Sequence, residues 1–425
     1  MLFSSLNEDE FELQREFIHK GVIYKEVRIK NRGTRCLNCG TYTEKVKEYR
    51  TRKIIHNIYH NESCIVLYHQ RRFICPKCGK TRMEDNPFTS DDHRISDKTI
   101  LNILETLKRY NVPFTQAAEM YGISTMGVMK IFDRYVDMKR LPLSKIICLD
   151  EIYFSRTRKK KYVLVIINFA NRAVLDILKD RDKSTLSSYF RKLSFKEKDR
   201  VEYVCIDMND HYRDIVSIYF KNATIVADSY HVVKHVHDAL DEVRKRIMRR
   251  FEDNKKSDEY YLLKYRDELL FQKDPLSAEH RKVKRNHHFR YDLSEAELLE
   301  MTLKIDKQLK DGYELYHEYV RFNDSFYEDP LNAVNDLSEI INDFRISGIR
   351  EFEKLANTLD NWRSEIVNSF IRSNNIRVSN GPIEGRNSLI KKILKIANGY
   401  TNFKRFRNRV MYCLNRYSDH SFRKE

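Results

Sequence analysis

Two kinds of residue stand at spacings that could do chemistry. The first is cysteine: "CLNCG" holds Cys36 and Cys39, and "CPKCG" holds Cys75 and Cys78. Each C-x-x-C sets two thiols on a tight turn, and the glycine after the second cysteine lets the backbone curl around an ion. Four thiolates make a closed, tetrahedral Zn²⁺ site that is structural rather than catalytic. The remaining four of the eight cysteines are scattered, so the pattern points to metal and not to a disulfide framework. A redox dithiol is the competing reading, which one pair would serve better than two. His56, His60 and His69 lie between the pairs and are taken as bystanders on strands rather than as ligands.

The second kind is a carboxylate at the end of an apolar run. Asp150 comes late in "SKIICLDEIYFS", and Asp207 follows the apolar part of "VEYVCIDMN". An acid at the end of a buried strand is costly unless something pairs with it. Two such acids side by side raise each other's pKa unless a divalent cation holds them. Mg²⁺ suits the arrangement, because it takes a few carboxylate oxygens while keeping water and phosphate ligands. Glu151 and Asp210 are neighbouring candidates, although strand alternation turns Glu151 to the face opposite Asp150. Asp228 closes "IVADSY", and His231 follows three residues later. Asp228 is expected to cap the next helix or support the site, with direct metal contact as the alternative. His231, His235 and His237 are expected as DNA contacts or helix surface. Glu384 is the only acid in "SNGPIEGRNSLIKKILKIANGY", beside Arg386, Lys391, Lys392 and Lys395. Residues seven apart, such as Glu384 and Lys391, share a helix face.

The elements that must position these groups fall into five segments. Residues 1–90 alternate like strands around the cysteines and suggest a zinc ribbon. Residues 91–142 are helical, and "PFTQAAEMYGISTMGVMKIFDRY" has the outline of a helix-turn-helix. There Thr115 would cap the first helix, Gly122 would take the turn, and Ser124 would cap the second. That second helix would present Ser124, Thr125 and Lys130 to DNA; a three-helix linker that merely packs is the plain alternative. Residues 143–250 run β-β-β-α-β-α-β-α, the order of the ribonuclease H-like fold. In that fold the first and fourth strands lie parallel at the sheet centre, so Asp150 and Asp207 face each other across a crevice. Residues 251–360 are charged, tyrosine-rich and expected to be helical throughout, forming an insertion. Its cluster "RKVKRNHHFR" is either a set of phosphate contacts or a solvated face. Residues 361–425 return to amphipathic helix and carry Glu384. Trp362, the single tryptophan, is expected in the core rather than against an extruded base. The fold class expected is therefore multidomain α/β: zinc ribbon, helix-turn-helix, and a ribonuclease H-like catalytic domain with an all-α insertion.

Composition narrows the partner. A net charge of +17 over 425 residues with 41% hydrophobic content describes a globular protein whose self-repulsion a polyanion would relieve. No apolar run is long enough to span a membrane, and the first residues lack a signal pattern. A cytoplasmic, nucleoid-associated location in a prokaryote is expected.

Taken together, the paired cysteines, the helix-turn-helix outline, "LDE" at Asp150, "IDMNDHYR" at Asp207, "VADSYHVVK" at Asp228 and "NGPIEGRNSLIKKI" at Glu384 resemble the ISL-three family of insertion-sequence transposases, which use a DDE triad. The resemblance covers almost the whole chain; Ser229-Tyr230 stand where family members often carry Arg-Phe. It implies that Asp150, Asp207 and Glu384 bind two Mg²⁺ (or Mn²⁺) ions and drive cleavage and strand transfer of double-stranded DNA. The implied substrates are the element's terminal inverted repeats and a target DNA, handled by a homodimer or higher oligomer. Two rivals remain: a DNA-binding regulator with an inert ribonuclease H-like domain, and a structure-specific nuclease of the same fold.

Overall fold

The computed structural model describes residues 11–415 apart from 31–32, 58–61, 91–92, 156–158, 274–276 and 278–280; His60 lies outside the described residues. Two compact units make up the chain, Met1–Arg140 with Ser388–Glu425, and Leu141–Asn387.

In the first unit, β1 (Phe11–His19) and β2 (Val22–Ile29) form a hairpin. The two-residue strands β3 (Thr34–Arg35) and β4 (Tyr42–Thr43) flank the first cysteine turn. β5 (Val46–Ile55), β6 (Ser63–Ile74) and β7 (Thr81–Met83) complete a five-stranded sheet ordered β1-β2-β6-β5, with β7 also on β6. Side chains on β6 alternate, so Cys64, Val66 and Tyr68 point inward, and with Val27, Ile54 and Phe88 they make the core. The edge strand β5 carries exposed Lys47, Arg50 and Lys53, charges that blunt pairing with another chain.

Three helices follow: α1 (Asp97–Leu107), α2 (Phe114–Met120) and α3 (Thr125–Tyr135). Ile103, Leu107, Ala117, Val128 and Phe132 meet in one apolar cluster. As expected, the Ser124 hydroxyl accepts from the Gly127 N–H at the start of α3. Thr115 does not cap α2; that helix opens at Pro113 with no side-chain cap. Gly122 sits between the helices at φ +59°, and a Cβ there would come 3.0 Å from the Ser63 hydroxyl. Only glycine meets both demands cheaply.

The second unit is built on β8 (Ile146–Tyr153), β9 (Tyr162–Asn168), β10 (Val174–Leu178), β11 (Tyr203–Ile206) and β12 (Thr224–Ala227), ordered β10-β9-β8-β11-β12. β8, β9 and β10 form an antiparallel meander, while β8, β11 and β12 are parallel. The crossovers are α4 (Lys183–Arg191) with α5 (Phe195–Asp199), then α6 (Asp210–Tyr219); α7 (Ser229–Met248) leads out of β12. Consecutive residues of β9, β10 and β11 are buried, so these strands are apolar on both faces.

After α7 come α8 (Asp258–Tyr265), the two-residue pair β13 (Lys284–Arg285) and β14 (Asp292–Leu293), α9 (Glu295–Leu303), α10 (Lys307–Asp324), α11 (Ala333–Ile346), α12 (Arg350–Asn361) and α13 (Arg363–Asn368). This segment is therefore not helical throughout. The "RKVKRNHHFR" cluster lies on the β13–β14 turn, where the Asn286 carboxamide accepts from the N–H groups of His288 and Phe289. Leu240, Phe344, Phe352 and Trp362 share one core with the sheet. Trp362 is 2% exposed with the Arg213 guanidinium 4.3 Å from its ring, so it packs rather than waits for a base.

A hairpin of β15 (Arg372–Ser373) and β16 (Ile376–Arg377), turned on Asn374 and Asn375 at φ +51° and +63°, interrupts the expected run of helix. α14 (Gly381–Ile396) follows, with Gly381–Asn387 in the second unit and the remainder in the first. α15 (Phe403–Leu414) packs into the first unit's helices. There buried Arg409 donates to the carbonyls of Arg109 and Val112, satisfying backbone acceptors beyond the end of α1.

Candidate active site

The register of the parallel strands decides which acids meet. Tyr203 pairs with Ile146 and Cys205 with Cys148, so one step past β11 Asp207 stands opposite Asp150. Ile206 pairs with Ala227, which puts Asp228 on the same row. Three carboxylates thus cross the C-terminal ends of three adjacent parallel strands, where open α/β sheets place ligands.

Asp228 is 1% exposed and occupies the N-cap position of α7, yet its side chain makes no cap hydrogen bond. One oxygen accepts from the Asn380 backbone N–H at 2.8 Å, and the other meets His231 Nδ1 at 2.8 Å. The expected capping role is thus replaced by a link between α7 and the chain before α14. His231 also reaches Asp207 Oδ1 at 3.1 Å, so it lies inside the site and not on the helix surface. Burial opposes a charge on His231, but the Asp228 hydrogen bond and the charges of Asp207 and Asp150 outweigh it and raise its pKa. Burial pushes Asp207 up to about 7, helped by Asp150 and Asp228 and opposed by His231. Asp150 is raised for the same first reason.

Ligand atoms of Asp207, Asp228 and His231 all lie within 4.8 Å of one another. Asp150 sits in the next strand, its Oδ1 accepting from the Glu151 N–H at 2.6 Å. Glu151 points away, as alternation requires, and takes the Tyr212 hydroxyl at 2.5 Å and Arg181. Asp210 pairs with Arg213 at 2.6 Å.

Glu384 is exposed in the first turn of α14 and is not among those grouped atoms. Its helix, however, is fastened to the aspartates by two residues that sequence reasoning missed. Asn380 Nδ2 donates to Asp207 Oδ1 at 3.0 Å and to the Leu149 carbonyl at 3.3 Å. Asn387 Nδ2 donates to Asp150 Oδ2 at 2.5 Å. The spacing of 380, 384 and 387 follows successive helical turns and is the available signal, although Asn380 precedes α14 and Glu384 is exposed where both asparagines are buried. Arg386 donates from Nε to the Arg172 carbonyl at 2.7 Å. A Cβ added at Gly385 would meet nothing within 4 Å, so the fold itself does not require that glycine. Lys391, Lys392 and Lys395 are exposed further along α14, in the first unit.

In the first unit the four cysteines converge. Sulfur–sulfur distances are 3.5 Å for Cys36–Cys78, 3.5 Å for Cys39–Cys75 and 3.6 Å for Cys39–Cys78, near the roughly 3.8 Å edge of a tetrahedron with ~2.3 Å metal–sulfur bonds. The Thr41 hydroxyl and N–H pull the Cys39 thiol down to about 6. Of the histidines between the pairs, His56 is buried against the Ser96 hydroxyl and His69 meets Thr51. On α3, Ser124 and Lys130 are exposed and Thr125 is half-buried. No helix among the described residues is long and apolar enough to cross a membrane.

Comparison with known proteins identifies the family. The chain is 24% identical over 372 residues to the transposase for insertion sequence element IS1001 of Bordetella parapertussis, covering 86% of this chain and 85% of that one. Over 117 residues it is 28% identical to the transposase for insertion sequence element IS1557 of Mycobacterium tuberculosis, 28% of this chain and 24% of that one. Residues 147–410 match a family model described as transposase, of the DDE, ISL-three type. Family membership implies the ribonuclease H-like fold, a DNA substrate and the use of divalent metal. The chain belongs to the ISL-three family of DDE transposases, enzymes that transfer polynucleotide ends during transposition of insertion sequences.

Proposed function

We propose that Asp150, Asp207 and Glu384 hold two Mg²⁺ or Mn²⁺ ions and that the enzyme cuts and joins DNA at the ends of its own element. One observation carries this reading: three strand-end carboxylates share a row, and the helix bearing Glu384 is bonded to two of them through Asn380 and Asn387. The residues fit such ions, because the Asp150 and Asp207 carboxylates are half-buried, their pKa values are raised, and both asparagine Oδ1 atoms are buried without partners. Bound divalent ions would activate the attacking oxygen and stabilise the leaving one. The chain's own part is to orient the carboxylates and to bring a basic helix to the phosphates flanking the cut. Asp228 and His231 support Asp207. A second reading, favoured by the close grouping of Asp207, Asp228 and His231, gives Asp228 and His231 a direct contact with one ion.

In the first unit, Cys36, Cys39, Cys75 and Cys78 hold a structural Zn²⁺. Ser124, Thr125 and Lys130 read the terminal inverted repeats from a helix-turn-helix, while Arg386, Lys391, Lys392 and Lys395 contact DNA backbone. The five segments 1–90, 91–142, 143–250, 251–360 and 361–425 are the working domains. The enzyme acts in the prokaryotic cytoplasm, at the nucleoid, as a homodimer or higher oligomer on DNA.

The test is cleavage and joining of DNA carrying the element ends, with Mg²⁺, by wild type and Glu384→Gln. Wild type should cut and join, and the variant should keep end binding but lose cleavage by at least about a hundredfold. Cutting without joining favours the nuclease, no cutting favours the regulator, and wild-type cutting by the variant removes Glu384 from the triad.

A further inference from the structure

Asn380 and Asn387 are the buried polar groups that the carboxylate chemistry leaves unexplained. Asn380 is fully buried and Asn387 is 4% exposed. Each spends its amide nitrogen on a catalytic aspartate, Asp207 and Asp150 respectively. Each leaves its Oδ1 buried with no hydrogen-bond partner. An orphaned buried acceptor is costly, and two of them beside one cluster of acids is an improbable coincidence. Turning either amide over would not help, since its oxygen would then face a carboxylate. What both oxygens lack is a donor that enters with the acids' own counter-charge.

We propose that Asn380 and Asn387 are paired positioning residues for the divalent-ion site. Their amide nitrogens fix the rotamers of Asp207 and Asp150 and tie down the helix that carries Glu384. Their free oxygens accept from water held on a bound ion, because Mg²⁺ gives up its water reluctantly and keeps several molecules. Asn380 has a further attachment, its backbone N–H to Asp228, so the carboxylates of all three strands are linked to the start of α14. Outer groups of this kind, hydrogen-bonded to ligating carboxylates, usually contribute 10–100-fold to metal affinity.

This inference rests on the proposed role of Asp150 and Asp207 as ion ligands, and the test separates the two. Mn²⁺ binding to the full-length protein without DNA is measured by loss of the free-ion electron paramagnetic resonance signal. Asn387→Ala and Asn380→Ala should each raise the Mn²⁺ dissociation constant about 10–100-fold. Asn368→Ala removes an equally ordinary amide bond, to the Ile225 carbonyl of β12, and should change it less than about twofold. Asn387 gives up a single hydrogen bond, so its variant is the one that decides should Asn380→Ala fail to fold. Wild-type Mn²⁺ affinity in Asn387→Ala overturns the inference, as does an equal loss in Asn368→Ala. Asp207→Ala is the second arm: if it binds Mn²⁺ as wild type does, the ion-ligand reading fails. If it loses binding while the Asn380 and Asn387 variants keep theirs, the inference alone fails.

Discussion

Asp207→Asn should make the ion-free enzyme more stable while abolishing its cleavage. Burial raises the Asp207 pKa from an ordinary 3.8 to about 7. A carboxyl whose folded pKa exceeds its unfolded one binds its proton more tightly when folded, so stability is full at low pH. It is then lost as pH climbs from 3.8 to about 7. His231, also raised, acts in the same direction: its contribution is present below 6.5 and disappears as pH rises through its folded value. About three pKa units at 1.36 kcal/mol each set a ceiling of about 4 kcal/mol for the Asp207 penalty. His231 returns part of the gain, since with one aspartate neutral its protonated form is less favoured. The net expectation at about pH 8 is roughly 2–4 kcal/mol.

Asparagine has nearly the shape of aspartate, and its Oδ1 can still accept from Asn380. For a unit running from Leu141 to Asn387, each kcal/mol moves the melting temperature by roughly 2–4 °C. The assay is thermal unfolding of both proteins in excess chelator, from about pH 4 to about pH 8. The variant should melt with wild type near pH 4 and roughly 4–16 °C above it near pH 8. A pH-independent difference, or a variant that melts lower at pH 8, would refute the claim that burial of the Asp207 charge is what the site stores. Stability given up for function is common in active sites, and here it would be localised to one proton.

Further outcomes follow from the first unit. Cys36→Ser should lower bound zinc from about one ion per chain to nearly none by elemental analysis, because structural Zn²⁺ needs its full ligand set; retained stoichiometry would count against the four-thiolate site. Gly122→Ala must accept φ +59° and a 3.0 Å approach to Ser63, so it should destabilise the first unit by about 1–2 kcal/mol in denaturant titration, and an unchanged midpoint would show that the turn relaxes freely.

The elements around the site were legible because each has a local signature. Apolar runs of four to eight residues ending in an acid gave β8 and β11, and their parallel pairing follows from a helical crossover. Ser124 announced α3 by standing just before its first apolar turn. Thr115 misleads, because Pro113 holds the N-cap position in extended conformation and Phe114 begins the helix, which puts Thr115 inside it. The turn at Asn374 and Asn375, both left-handed, is a faint signal among helical neighbours, although paired asparagines tolerate that conformation.

Asp228 and the two asparagines mark where local signals stop. From sequence, Asp228 has the spacing of a cap; what overrides it is the Asn380 N–H, 152 residues away. Asn387 and Asp150 are separated by 237 residues and Asn380 and Asp207 by 173. No periodicity or turn preference encodes such partners, because the chain must cross the helical insertion before they can meet. The same separation has a consequence for function. An insertion of that length costs little in loop entropy, since closure grows only logarithmically, provided its own core holds it together. Phe344 and Phe352 supply that core, and they pack with the sheet rather than apart from it. The insertion is thus folded onto the unit whose two ends it separates, and this lets two short amide side chains find aspartates so distant in sequence.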